Sequence, residues 1–150
     1  MVTLNINSMS MTTPGGIADR FFKVLCLTLH LTQRFEVVCL QDTRHPSDNF
    51  CKAALSPLFP NYTVHASAGT KEAGGAITIL SPTVLQRYKV TRSVVSDGGV
   101  LCTSLRRKED DMHVLHINNC YLDASRTTNN WTNQVKTLIS ASTAERSIFL

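Results

Sequence analysis

The spacing between apolar residues changes along the chain, and each spacing is typical of one kind of secondary structure. The first stretch, Val2–Asn7, changes at every residue, which is the pattern of a strand with one buried face. From Ile17 to about Arg34 apolar residues recur at helical spacing, which predicts a well-covered helix. Phe35–Leu40 is mostly apolar and predicts a fully buried strand. The chain therefore opens in the order strand, helix, strand.

The rest of the pattern predicts several strands followed by a helix. Asp97–Gly99 separates two long strand patterns, and an Asp-Gly pair at such a place is typical of a hairpin. The other predicted elements are a short helix over 47–58, strands over 61–66, 75–80, 85–95, 100–107 and 112–121, a helix over 129–145 and the onset of a strand over 147–150. A β-α-β opening followed by antiparallel strands predicts an α/β fold with mixed sheets.

Composition sets limits on the class of protein. The 150 residues correspond to about one domain, and with 43% hydrophobic and 17% charged residues they are ordinary for a globular protein. A net charge of +4 and a pI near 8.9 permit a polyanionic partner without requiring one. No signal peptide opens the sequence, and no stretch reaches the roughly 20 apolar residues of a membrane span. We therefore expect an intracellular protein with no membrane partner.

The five cysteines form no Cys-x-x-Cys pair and match no zinc-site spacing. Four of them lie in apolar runs, which favours buried free thiols in a reducing compartment.

Polar residues that could do chemistry follow the first two predicted strands. Asn5 and Asn7 lie near the end of the first strand, and Asp42 follows the second. If these strands are parallel, as the intervening helix suggests, the three residues converge at one sheet edge, where ligand sites of open α/β sheets form. A carboxylate and amide oxygens suit a hard cation such as Mg²⁺. The alternative is that Asp42 simply begins a turn.

Four segments together resemble a known family. Leu4–Asn7, Val38–Thr43, Ala73–Ser81 and Asn118–Tyr121 follow the order and spacing found in apurinic/apyrimidinic-endonuclease-like nucleases of the endonuclease/exonuclease/phosphatase superfamily. They are most similar to the endonuclease domain of non-LTR (LINE-type) retrotransposons. The resemblance covers essentially the whole chain and implies a DNase I-like fold, a two-layer mixed-sheet β-sandwich flanked by helices, with residues 1–150 as the N-terminal part of one such domain.

The resemblance also implies a function and roles for particular residues. It implies a Mg²⁺-dependent endonuclease, with Mn²⁺ as a substitute, that hydrolyses DNA phosphodiester bonds to nick a target in retrotransposition. Asp42 takes the place of the family's metal-binding Glu, and Asn7 supports the metal shell. Asn5 orients the metal or the phosphate, and Tyr121 contacts the phosphate. The implied setting is a polyprotein with reverse transcriptase, acting in the nucleus.

The sequence departs from the family at three places. Position 42 is Asp rather than Glu, which shortens the carboxylate by one methylene. Tyr121 is followed by Leu122–Ala124 where the family has Ala-Pro-Asn, although Asp123 could substitute in part for the missing Asn. The family's later Gly-Asp-x-Asn motif and Asp-His pair are absent from these 150 residues, so the fold is expected to be incomplete at its C-terminus. We therefore expect the chain alone to have little or no activity.

Arg44 and His45 follow Asp42 and are predicted to bind substrate, although a loop histidine such as His45 is also typical of an ordinary surface residue. His113 and His116 lie three apart on one predicted strand, hence on opposite faces, which argues against a joint metal site. The basic turn at 106–108 and Trp131 are better explained as a solvated turn and a core residue. Two other functions remain open: a phosphatase or phosphodiesterase of the same superfamily, and a degenerate, non-catalytic remnant.

Overall fold

The computed structural model describes residues 1–7, 9, 17–70, 73–96, 100–110, 113–121 and, further on, 132–133, 135–136, 139 and 147–149. Asp123 and Trp131 lie outside this part of the chain. The described elements, in chain order, are β1 (Val2–Asn5), α1 (Ile17–Arg34), β2 (Val37–Gln41), α2 (Asp48–Leu55), a 3-10 turn (Ser56–Leu58), β3 (Thr63–Gly69), β4 (Gly74–Leu80), α3 (Pro82–Arg87), β5 (Tyr88–Ser96), β6 (Val100–Arg107), β7 (Val114–Cys120) and β8 (Ser147–Phe149). The described positions between 132 and 139 are helical.

The strands form two four-stranded sheets. The first has the order β1-β2-β4-β3 and the second the order β5-β6-β7-β8. β1 with β2 and β7 with β8 are parallel, whereas the other neighbouring pairs are antiparallel. The predicted mixed sheets, the parallel opening pair and the β5-β6 hairpin are thus confirmed. No helix in the described ranges is long and apolar enough to cross a bilayer.

Both faces of β2 are covered, as its apolar run predicts. Val38 and Leu40 pack with α1 and α2 on the outer side of the first sheet, where Leu55 is completely buried. Val37 and Cys39 face the second sheet and pack with Ile117 of β7 and other apolar residues. Four consecutive residues of β2 are buried for this reason, and burial decreases only at its last residue, Gln41.

One predicted element is wrong at its start. The strand expected over 85–95 begins only at Tyr88, because the preceding residues form α3. The Ser81 hydroxyl accepts a hydrogen bond from the Val84 amide at 3.3 Å, and Pro82 occupies the first helical turn. These are the two strongest local signals for a helix start, and they outweigh the β propensity of the residues that follow.

Polar side chains of the second sheet hold it to the first. The Asn119 amide of β7 donates to the carbonyl oxygens of Leu40 at 3.2 Å and Ile77 at 2.8 Å. The Gln41 side-chain amide donates across the same gap to the Cys120 carbonyl oxygen at 2.8 Å. The C-terminal ends of β2 and β7 are therefore fixed against each other.

The cysteines follow the prediction in part. Cys39, Cys51 and Cys102 are buried and Cys120 is half-buried, but Cys26 on α1 is exposed, so the expectation of burial is wrong for that residue. All five are free. Burial raises the pKa of the Cys39 and Cys120 thiols to about 12 and that of Cys51 to about 11. These thiols stay protonated at neutral pH, which disfavours them as nucleophiles there.

Candidate functional site

The predicted site residues follow strands that end at one edge. In the parallel pair β1-β2, Asn5 lies opposite Gln41, so Asp42 and the residues after Asn5 leave the sheet side by side. Tyr121 follows β7 and is brought to the same edge by the hydrogen bond between Gln41 and Cys120. The structure therefore gathers residues of three separate segments at the end of both sheets.

The backbone at this edge is strained. Among the described residues, the non-glycine residues with positive φ are Asn7 (50°), Asp42 (59°) and Arg44 (50°). Asn and Asp tolerate this conformation better than most residues, whereas for Arg it is unfavourable. Strain of this kind persists where surrounding structure imposes it, and it clusters at functional sites.

Neighbouring strands impose the conformation of the segment that follows β2. The Arg44 amide donates to the Gly74 carbonyl at 2.9 Å, and the Thr43 amide donates to the Gly75 carbonyl at 3.3 Å. On the other side, the Thr43 carbonyl accepts from the Met9 amide at 2.6 Å. The backbone around Asp42 is thus held between the chain after β1 and the start of β4.

The Asp42 carboxylate is buried and fully engaged. Its side chain is 2% exposed and Oδ1 accepts a hydrogen bond from the Gly74 amide at 3.0 Å. The Arg44 guanidinium donates from Nε to both carboxylate oxygens, at 3.1 and 3.0 Å, and from Nη2 to Oδ2 at 2.8 Å. This bidentate ion pair is the central interaction of the site.

Arg44 also joins the two sheets. Its guanidinium is hydrogen-bonded to Tyr121 as well as to Asp42. The Asp42 carboxylate raises the pKa of Arg44 above its ordinary value, burial opposes this, and Tyr121 adds to it. With the side chain 32% exposed, part of this fixed positive charge faces solvent.

Asn5 and Asn7 lie at or just after the end of β1, at the same sheet edge as Asp42. Both are exposed, and the Asn5 side-chain oxygen accepts a hydrogen bond from the Asn7 amide at 3.0 Å. This bond closes a short turn after β1 and helps to hold Asn7 at positive φ.

His45 is tied to the start of α2. Its ring stacks on Phe50, with centroids 4.2 Å apart, and its Nδ1 accepts from the Ser47 amide at 3.1 Å. Ser47 is the N-cap of α2. His45 is half-buried and held by these contacts rather than being an ordinary surface residue, and its predicted role in binding substrate remains a prediction.

The other histidines do not form a joint site. His116 is hydrogen-bonded to Ser104 at 2.9 Å, whereas His113 pairs with Asp110 near a turn. The basic residues at 106–108 are exposed as expected, but Arg106 and Arg107 form the end of β6, and only Lys108 lies in the bend that follows. Within the described part of the chain, no three His, Cys, Asp or Glu side chains come together as metal ligands would.

As arranged here, Asp42 does not fit a divalent cation. A carboxylate has about four acceptor sites, and the Asp42 oxygens already accept from three N–H groups, with the Arg44 Nε hydrogen shared between both oxygens. A metal would also lie against a guanidinium of the same sign of charge. The expected role of Asp42 and Asn7 in a Mg²⁺ site is therefore not supported by the donor set of the described residues.

Sequence reasoning missed the residues that position this site. Gly74 supplies an amide to Asp42, while Gln41 and Asn119 bond across the two sheets. Gly74 and Gly75 both adopt φ near +80°, and their pairing directly before a buried strand was the available signal for an unusual backbone. Nothing in the local sequence identifies Asn119, because its partners lie on strands of the other sheet.

Two mixed sheets joined at their polar edge, with helices outside, define the class of this chain. It has the α/β sandwich fold of the endonuclease/exonuclease/phosphatase superfamily, as the resemblance predicted. No protein-family model and no curated protein matches the sequence.

The particular structures that it resembles are nucleases and related enzymes. They include the AP endonuclease LMAP from Leishmania major, with a TM-score of 0.59 and 17% identity over 93% of this chain and 45% of that one. The endonuclease domain of TRAS1, a telomere-specific non-LTR retrotransposon, gives 0.60 and 10% over 98% and 56%. D. rerio TDP2 complexed with a single-strand DNA product gives 0.57 and 15% over 98% and 56%. The chain thus spans about half the length of these proteins.

Proposed function

We propose that this chain is the N-terminal part of a domain that acts on DNA phosphodiester bonds, and that its described edge binds the DNA backbone. The observation that carries the proposal is the Arg44 guanidinium, which is bonded to Asp42 and Tyr121 while about a third of the side chain faces solvent. A planar guanidinium held in this way matches a phosphate group in geometry and charge.

The surroundings of Arg44 support this assignment. The exposed Asn5 and Asn7 lie at the same sheet edge, and Tyr121 interacts with the Arg44 guanidinium. Such donors, together with backbone strain, are typical of sites that position a phosphate before reaction. The +4 net charge favours a polyanionic substrate over a neutral one.

DNA is the proposed substrate because of the family resemblance. The similarity to the TRAS1 endonuclease domain and to TDP2 with its DNA product supports it at the level of fold. Target nicking within a retroelement polyprotein that also carries reverse transcriptase, in the nucleus, belongs to the same proposal. The Mg²⁺ or Mn²⁺ that the resemblance implies finds no suitable site at Asp42, so we propose that this chain alone binds DNA without cleaving it.

Binding of a short labelled DNA duplex, followed by fluorescence anisotropy over a range of salt concentrations, tests the proposal. Arg44→Gln is expected to weaken binding roughly tenfold, equivalent to about 1.4 kcal/mol, and to lower the salt slope by about one. Arg87→Gln is the matched control, because Arg87 also pairs with a carboxylate, that of Glu36, but on exposed surface and outside this cluster. It removes the same charge and should leave affinity within about twofold.

Equal affinity of the wild type and Arg44→Gln would contradict the proposal. Preferential displacement of DNA by an inositol phosphate would favour the phosphatase or phosphodiesterase alternative. Failure of the folded wild-type chain to bind either ligand would favour the remnant.

A further inference from the structure

The Asp42 carboxylate accepts hydrogen bonds at both oxygens from three N–H groups of Arg44 and Gly74. Oδ1 receives the Gly74 amide and Arg44 Nε, whereas Oδ2 receives Arg44 Nε and Nη2. The single Nε hydrogen is shared between both oxygens, so three N–H groups engage both oxygens of a buried carboxylate that offers about four lone-pair sites, which leaves little room for a further ligand.

Backbone geometry locks Arg44 in place. Its φ of 50° turns the chain back so that a side chain two residues after Asp42 reaches that carboxylate. Its own amide donates to the carbonyl of Gly74, the residue whose amide donates to Asp42. Arg44 and Asp42 are therefore both held by the backbone of one residue, Gly74, unlike a flexible surface ion pair.

The charge balance of this edge is complete without a metal. The guanidinium lies 2.8 Å from Asp42 Oδ2 and supplies the single positive charge that the carboxylate needs. An arginine guanidinium carries this charge at all physiological pH values. A divalent ion would have to displace it and leave a guanidinium without its anion at the same edge, which is costly for a pair that is largely buried on one side.

We infer that Arg44 occupies the cation position at Asp42 and excludes divalent metal ions from this carboxylate. Asp42 is then a positioning residue for Arg44 rather than a metal ligand. The inference goes beyond the proposed function, because it concerns metal binding and holds whatever the substrate is.

The test measures Mn²⁺ binding to the folded 150-residue chain, without DNA, by paramagnetic broadening of amide signals in ¹⁵N NMR spectra. In the wild type the Gly74 amide, which contacts Asp42, should keep its linewidth at Mn²⁺ concentrations that broaden signals near exposed carboxylates. In Arg44→Gln the same signal should broaden, with an apparent affinity at least about tenfold tighter than in the wild type, equivalent to about 1.4 kcal/mol.

Two further variants localise the effect. Arg87→Gln removes an equal charge and frees the exposed Glu36, and it should not change the Gly74 signal. Asp42→Asn combined with Arg44→Gln should abolish the gained broadening. If Arg44→Gln does not fold, the wild-type spectrum decides alone: selective broadening of Gly74 that Asp42→Asn removes would overturn the inference, and its absence would support it.

The result is separable from the DNA-binding experiment. If Mn²⁺ binds at Asp42 of the wild type, Arg44 can still bind phosphate beside the metal. If the chain does not bind DNA, Arg44 can still exclude Mn²⁺ from Asp42. Metal binding to wild-type Asp42 as tight as to the Arg44→Gln variant would overturn the exclusion of metal without affecting the anisotropy result.

Discussion

At the scale of single residues, Gly75 shows how tightly the edge is built. It has a φ of 82°, and a Cβ at this position would lie 2.1 Å from the Thr43 hydroxyl oxygen. Gly75→Ala combines a left-handed backbone with overpacking and should lower the free energy of unfolding by about 3 kcal/mol. Urea denaturation followed by far-UV circular dichroism measures this change.

Thr43 provides the control for the Gly75 prediction. Its hydroxyl is buried and without a hydrogen-bond partner in the structure, so Thr43→Ala alone should cost little through hydrogen bonding. In the double variant the clash is removed, and about half of the loss caused by Gly75→Ala should be recovered. Additive losses would show that the close approach of these two residues does not limit stability.

The sequence predicts which residues meet at this sheet edge better than how their side chains pair. The shared location of Asp42, Asn5 and Asn7 can be predicted, because they lie at or just after the ends of two parallel strands, and such strands end at the same edge of the sheet. The pairing of Asp42 with Arg44 depends on two positive φ angles and on the Gly74 amide, which lies more than thirty positions further along the chain. A pattern of residue types carries no information on such a conformation.

At the scale of elements, strand β7 holds two neighbouring asparagines with opposite surroundings. Asn119 donates to carbonyl groups of the first sheet, whereas neither polar side-chain atom of the fully buried Asn118 has a partner in the structure. Asn119→Val should lower the free energy of unfolding by about 2 kcal/mol, because the inter-sheet bonds are lost. Asn118→Val should change it by less than about 1 kcal/mol, because a buried unpaired amide is already costly.

Thermal and urea unfolding of the two variants give the comparison. Both variants replace Asn by Val at neighbouring positions of one strand. The effects of β propensity and side-chain volume therefore largely cancel when the two changes in the free energy of unfolding are compared. A larger loss for Asn118→Val than for Asn119→Val would show that the amide bridge between the sheets contributes little.

Elements with strong periodicity are predicted well. α1 has the predicted bounds of Ile17–Arg34, and β2 and β4 differ from prediction by a residue or two. The missed helix α3 shows the limit, since its six residues are too few for a helical period and its Ser81 cap and Pro82 were the available signals. Short elements are decided by such local hydrogen bonds rather than by hydrophobic pattern.

At the scale of the whole molecule, the fold of the chain is similar to that of solved nuclease structures, whereas the pairing of Asp42 differs from what the sequence resemblance predicted. The chain matches the TRAS1 domain over 98% of its own length and 56% of that domain, so the shared part includes both sheets. At the polar edge, Asp42, the residue to which the resemblance assigned a metal, is paired with Arg44 instead. We therefore separate the ability to bind DNA from the ability to cleave it.

If the chain binds DNA without cleaving it, the 150-residue protein should have no nicking activity. The purified 150-residue protein should convert no supercoiled plasmid to the nicked form, in Mg²⁺ or in Mn²⁺, above the level of Asp42→Asn. The reason is that the described residues place one buried carboxylate at the edge, already neutralised by Arg44, and group no three His, Cys, Asp or Glu side chains around it. Electrophoresis of the plasmid after incubation measures the outcome, with folding of both proteins checked beforehand by circular dichroism. Metal-dependent nicking that Asp42→Asn abolishes would contradict the prediction and would show that Arg44 leaves Asp42 when a metal ion binds.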